Sequence, residues 1–227
     1  MDYLKSFATL GTRFLRPADY LQRQLGNIRA VVFDWDGVFN DGWKDLDGGS
    51  PFSEVDSMGV NLLRFSLWQR EQVLPPFAVI TGQQNPHAQR FAEREHFEGI
   101  YMGYSNKTEA FAAFLEKHKL DARQVAFFFD DVLDLPVARQ CGLRIMIKRL
   151  SSPLFENYVV AGRDADLLTH FSGGDHGLRE ACELLMALSG RHAETIEHRV
   201  KFSETYQAYL THRAAVNTEV VSPFRNH

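Results

Sequence analysis

The sequence predicts an α/β fold in which a mostly parallel sheet carries helices on both faces. Three observations predict it. Apolar runs of strand length alternate with amphipathic stretches of helix length, the order that a sheet built through helical crossovers requires. The runs read as central strands are apolar throughout, as strands buried on both faces are. The chain has 227 residues, 44 % of them apolar and 24 % charged, which suits a globular domain with short extensions.

Taken in order, residues 17–25 read as a short helix, with Pro17 in its first turn and Gly26 at its end. Residues 30–34, Ala-Val-Val-Phe-Asp, read as a buried strand closed by Asp34-Trp-Asp-Gly37. Between Asn40 and Val55 the text is rich in turn residues, and strands flanking Gly48-Gly49 would make a β-hairpin. Residues 58–68 read as a helix, 77–81 as a second strand broken by Gly82, and 86–94 as a helix. Residues 106–119 form a clearer helix, because Ala110, Phe111, Phe114, Leu115 and His118 share one face. A third strand is expected at 125–129, a helix at 133–140 stopped by Gly142, a fourth strand at 144–147 and a short fifth at 158–160. Gly173-Gly174 introduces a helix over about 177–188, and the polar remainder is helix-prone to about Ala215. The division is an N-terminal extension (1–27), a main domain (28–190) and a helical C-terminal extension (191–227).

Ligands of such sheets bind beyond the carboxyl ends of the strands, and Asp34, Thr81 and Asp130 stand at three of those ends. Asp36, Asp131 and Asp134 add carboxylates to the same rim. So many acids in two short segments repel one another unless a hard divalent cation joins them. Mg²⁺ prefers oxygen ligands and needs only one or two carboxylates beside a substrate phosphate. Asp34, Asp36, Asp130 and Asp131 are the expected metal ligands. Lys107 and Asn106 lie at a helix start, where an ammonium and a helix N-terminus both suit phosphoryl oxygens. Thr81 offers a hydroxyl, and Gly82 allows close approach of the backbone.

A mechanism follows from these roles. Asp34 attacks phosphorus to form an aspartyl-phosphate. Asp36 protonates the leaving alkoxide and then activates water. Thr81 and Lys107 stabilise the developing charge, and Asp134 pairs with Lys107.

These motifs stand in the order of the four motifs of the haloacid dehalogenase (HAD) superfamily. The segments 33–42, 101–107, 134–136, 142–143 and 173–180 resemble, more closely, the 3-deoxy-D-manno-octulosonate 8-phosphate (KDO 8-phosphate) phosphatase family. The resemblance spans roughly residues 28–188. It implies a Rossmann-like HAD fold without a cap domain, Mg²⁺, a sugar-phosphate substrate and a homotetramer packed through the hairpin after the first motif. Several positions depart from the family pattern. Phe129 stands where Gly is usual, Leu133 where Asn or Ile is frequent, Gln83 where Arg is usual, and Val55 and Asn61 where cations open and close the family's glycine-containing segment. Gln83 and Asn61, with Gly82 and Asn106, are the expected substrate-binding residues, and the lost cations admit a less acidic phosphorylated metabolite. The competing reading is a non-catalytic binding or scaffold protein on a decayed HAD fold.

The remaining features exclude other classes. The net charge of −4 offers no basic stripe for nucleic acid. No apolar run reaches the ~18 residues of a membrane span, and residues 1–16 lack the apolar core of a signal peptide. Cys141 and Cys182 lie in apolar stretches and read as reduced core residues of a cytoplasmic protein.

Overall fold

The structure, a computed structural model, describes residues 3–223. The outermost residues of both expected extensions, 1–2 and 224–227, lie outside the described residues. In chain order the elements are α1 (Tyr3–Leu10), β1 (Arg13–Phe14), α2 (Ala18–Asn27), β2 (Ala30–Phe33), α3 (Glu54–Glu71), β3 (Phe77–Thr81), α4 (Pro86–Arg94), β4 (Gly99–Met102) and α5 (Lys107–His118). They continue with β5 (Val125–Phe129), α6 (Leu135–Ala138), β6 (Leu143–Lys148), α7 (Pro153–Gly162), β7 (Leu167–Ser172), α8 (Gly177–Leu188), α9 (His192–Val200), α10 (Glu204–Ala214) and β8 (Glu219–Val221).

One eight-stranded sheet has the order β1-β7-β6-β5-β2-β3-β4-β8. All pairings are parallel except β1 with β7. Side chains alternate across it. Val31, Phe33, Ala126 and Phe128 pack on one face with α2, α3, α4 and α8, while Ala30, Val32, Val125, Phe127 and Phe129 pack on the other with α5 and α6. β2 lies between β3 and β5. The chain leaves β2 to one side and later returns on the other, so the carboxyl end of β2 is the topological switch point of the sheet.

Local chemistry starts and stops the helices around that point. Ser53 caps α3, accepting from Val55 N at 3.0 Å, and α3 ends where Gln72 turns left-handed at φ 54°. Asn85 caps α4 with Pro86 in its first turn. Asn106 caps α5, which ends at left-handed Lys119.

Several expectations change. Residues 40–53 contain no strand, so the expected hairpin is a loop around a tight turn. Asp45 closes that turn, accepting from Asp47 N at 3.0 Å and Gly49 N at 2.7 Å. Gly42, at φ +85°, and Pro51, which has no N–H, stop a ladder from growing on either side. The expected strand at 158–160 lies inside α7, because Pro153 opens a helix that runs through it; so short an apolar run reads equally as either. The helix expected at 133–140 is a 3₁₀ turn, Val132–Asp134, followed by the single turn of α6. β1, β4, β7, β8 and α1 carry weak local signals and are seen only in the structure.

The segments expected as extensions each supply a strand, β1 beside β7 and β8 beside β4, and these short strands form the edges of the sheet. Tyr206 and Tyr209 of α10 pack on Phe65 and Trp68 of α3. Cys141 and Cys182 are buried and free. No helix among the described residues is long and apolar enough to cross a membrane.

Candidate active site

The first acidic motif leaves β2 directly into a tight loop. Asp34 N still donates to Phe128 O of β5 at 2.9 Å, so the strand's hydrogen bonding carries through to the acid. Trp35 anchors the loop. It is buried, stacks on Phe39 with centroids 4.4 Å apart, and donates from Nε1 to Ser50 O at 3.1 Å. Asp34 and Asp36 are two residues apart and would share a face in a continued strand, but β2 ends at Phe33 and the chain turns from Asp36, so the two acids have different surroundings. Asp34 is buried. Asp36 is part-exposed, held by Lys44 Nζ at 2.6 Å from each carboxylate oxygen and by the Ser50 hydroxyl.

Lys107, in the first turn of α5, reaches the buried side of Asp34. Its ammonium lies 2.5 Å from Asp34 Oδ1 and 2.6 Å from Asp134 Oδ1. Burial lowers the readiness of that ammonium to hold its proton, but Asp34 and then Asp134 outweigh it and hold Lys107 charged. Burial pushes the Asp34 carboxyl well above the usual carboxylate range; Asp134 adds to this and Lys107 opposes it. Burial, then Asp134, pushes Asp130 up to about 6, against the pull of Arg149.

Asp34, Asp130 and Asp134 each bring a carboxylate oxygen within 4.8 Å of the others, and all three are buried. Asp130 Oδ1 is buried with no hydrogen-bond partner among the described residues. A buried orphan acceptor among close carboxylates is a costly arrangement, and a divalent cation satisfies it with the hard oxygen ligands it prefers. The residues present therefore fit a bound divalent cation.

Not every expected site residue joins this cluster. The Asp131 side chain caps the 3₁₀ turn, accepting from Val132 N at 2.7 Å. The Asp36 carboxylate is taken by Lys44 and Ser50. Neither belongs to the carboxylate group, and Asp134, read from sequence as a partner of Lys107, does. Thr81 is buried at the end of β3, and its hydroxyl accepts from Gln83 N at 3.5 Å. Gly82 follows it beside Tyr104 O, while Gln83 is exposed. Asn106 spends its side chain on the α5 cap, bonding Thr108 and Glu109. Asn61 faces the C-terminal extension: it donates to Glu95 at 3.1 Å and accepts from Tyr206 at 3.5 Å. A position expected at the substrate is thus tied to the tail, because residue 61 falls well inside α3. Phe129, in place of the family's usual Gly, packs its ring in the core beneath α5 and α6, stacked 5.9 Å from Phe127.

Sequence reasoning missed Lys44, Ser50 and Arg149. Each reaches the site from a loop with no spacing signal. Arg149 follows β6 and donates to Asp130 Oδ2 from Nε at 2.8 Å and also from Nη2. Gly37 makes room for this pair. At φ +86°, a Cβ there would come within 2.0 Å of Asp130 Oδ2 and 2.2 Å of Arg149 Nη2. Gly37→Ala is expected to cost about 1–3 kcal/mol from backbone strain alone, with more from displacing the pair. Urea unfolding of the two proteins measures it, and equal midpoints would show that the loop yields without cost.

A parallel sheet whose switch point brings together a strand-end Asp, a buried lysine and two further buried acids, Asp130 and Asp134, defines a HAD-type phosphatase. No family model matches the chain. It is 30 % identical to the KDO 8-phosphate phosphatase KdsC of Escherichia coli (strain K12), over 73 % of this chain and 82 % of that one. It is 29 % identical to KdsC of Salmonella typhi, over 82 % of this chain and 94 % of the relative. The crystal structure of the Yersinia pestis KDO 8-phosphate phosphatase matches with a TM-score of 0.63 and 26 % identity, covering 77 % of this chain and 89 % of that one. The chain belongs to the KDO 8-phosphate phosphatase family.

Proposed function

We propose that this phosphatase hydrolyses a small sugar phosphate of the KDO 8-phosphate kind through an aspartyl-phosphate on Asp34. The observation that carries the proposal is the placement of the Lys107 ammonium between Asp34 and Asp134, beside Asp130. Lys107 offsets negative charge that otherwise repels an incoming phosphate, and it fixes Oδ1 of Asp34. An Asp34 oxygen forms the new bond to phosphorus as the ester oxygen leaves. The Asp36 carboxylate, held in place by Lys44 and Ser50, first takes up a proton and then gives it to that leaving alkoxide. Water then attacks the aspartyl-phosphate, Asp36 takes a proton from it, and inorganic phosphate and free Asp34 are restored. Thr81 and the Gly82 backbone, at the next strand end, bind phosphoryl oxygens. Asp34, Asp130 and Asp134 would hold the cation, Mg²⁺ by donor type, which neutralises charge on the phosphoryl group when bound.

The part of the substrate that does not react has space beside the cluster. A cavity of about 240 Å³ is lined by Gly37, Asn40, Asp41, Lys148, Arg149 and Gly173, among others. Its two cations support an acidic sugar phosphate, although Gln83 is exposed and Asn61 faces elsewhere. The family's homotetramer and a cytoplasmic location belong to the same reading.

The test is phosphate release over a panel of acidic and neutral sugar phosphates, KDO 8-phosphate included, with Mg²⁺ or with EDTA. Turnover that requires Mg²⁺ and favours acidic members is expected. Equal rates in EDTA would remove the cation from the reading. A preference for neutral members would replace the substrate with a less acidic metabolite.

A further inference from the structure

We infer that Arg149 is a positioning residue for the cation site: it holds one oxygen of Asp130 so that the other faces the carboxylate cluster. The inference rests on the reading that the cluster holds a divalent cation. Arg149 Nε and Nη2 both donate to the same atom, Asp130 Oδ2. The other oxygen, Oδ1, is buried and without a hydrogen-bond partner among the described residues. The two halves of one carboxylate are therefore in opposite situations. One oxygen is held twice by a guanidinium, and the other is left for a ligand the protein does not itself supply.

The geometry around the pair is tight. Gly37, at φ +86°, is the only residue type that leaves space for it, since a Cβ would overlap both Asp130 Oδ2 and Arg149 Nη2. Asp130 is 1 % exposed, so water does not compete freely for Oδ2. Two guanidinium N–H groups in fixed relative geometry converge on the one oxygen Oδ2, whereas an ammonium would offer it a point charge without that second, directed donor. Partners that orient a metal-binding side chain commonly account for 10–100-fold in metal affinity.

A competing effect has the opposite sign. A positive side chain beside the cluster repels a cation, so Arg149 could act only as a counter-charge that the ion must overcome. Three carboxylates face Lys107 and Arg149 here, which leaves a net negative site even with both cations present. Repulsion by Arg149 is thus offset locally, while free rotation of Asp130 would not be.

Calorimetric titration with Mg²⁺ alone, on the full chain, separates the two. Wild type is expected to bind Mg²⁺. Arg149→Ala is expected to bind it about 10–100-fold more weakly, with low-millimolar guanidinium ion restoring part of the loss. Arg149→Lys, which keeps the charge but not the second, directed donor, is expected to fall between them and guards against a misfolded alanine variant. Affinity that is unchanged or tighter in both variants would overturn the inference while leaving the cation site standing. Absence of Mg²⁺ binding to wild type would overturn the cation reading and this inference with it.

Discussion

Asp34→Asn is expected to lower phosphate release by about 10⁴-fold or more, the scale seen when a covalent nucleophile is removed. The substitution keeps the shape of the side chain and removes its ability to form an acyl phosphate. Asp34 is the acid at the switch point of the sheet, buried and bonded to Lys107 at 2.5 Å. Lys107 retains Asp134 at 2.6 Å in the variant, so the fold is expected to survive, as far-ultraviolet circular dichroism would show. Acid quenching during turnover should trap phosphate on wild type and none on the variant. A variant that turns over at the wild-type rate would transfer the role of nucleophile to another group.

Lys107→Ala should affect stability as well as rate. Lys107 is 7 % exposed and neutralises two carboxylates that have little access to water. Removing one partner of a buried pair leaves uncompensated charge, at a cost of about 3–5 kcal/mol. For a chain of this size that corresponds to a loss of roughly 6–20 °C in melting temperature. The rate should fall about 10²–10³-fold, as on losing a preorganised donor to developing charge. Mg²⁺ should recover part of the melting temperature, because it supplies positive charge to the same carboxylates. Melting within about 2 °C of wild type in EDTA, below the range derived above, would show that Asp34 and Asp134 do not depend on Lys107 for neutrality.

Much of this site was legible in the sequence because its residues sit at the ends of strongly apolar strands. Asp34 closes Ala-Val-Val-Phe, Thr81 closes Phe-Ala-Val-Ile and Asp130 closes Val-Ala-Phe-Phe-Phe. Strand ends are local features, and a parallel sheet brings them to one rim whatever the loops do. The pairing of Lys107 with Asp134 was likewise expected from the residues and is present.

Other assignments needed distances that spacing does not contain. Asp131 and Asp134 are both near Asp130 in sequence, but the 3₁₀ turn directs Asp131 to its own backbone and Asp134 into the cluster. Asn61 reads as a site position by resemblance, yet it bonds Glu95 and Tyr206. The turn-rich segment after Asp36 carries the residues of a hairpin, but Asp45 and Pro51 make it a loop.

By itself the sequence determined the layered α/β architecture, the strand end that carries Asp34 and the acidic character of the rim. Hydrophobic period and strand-end chemistry are local, so they survive in a linear reading. Tertiary structure decided which acids share a centre, how Lys44 and Ser50 orient Asp36, and that Arg149 meets Asp130 across the space left by Gly37. Those contacts join segments far apart in the chain through loops without periodicity, and only the packing of the sheet sets their distances.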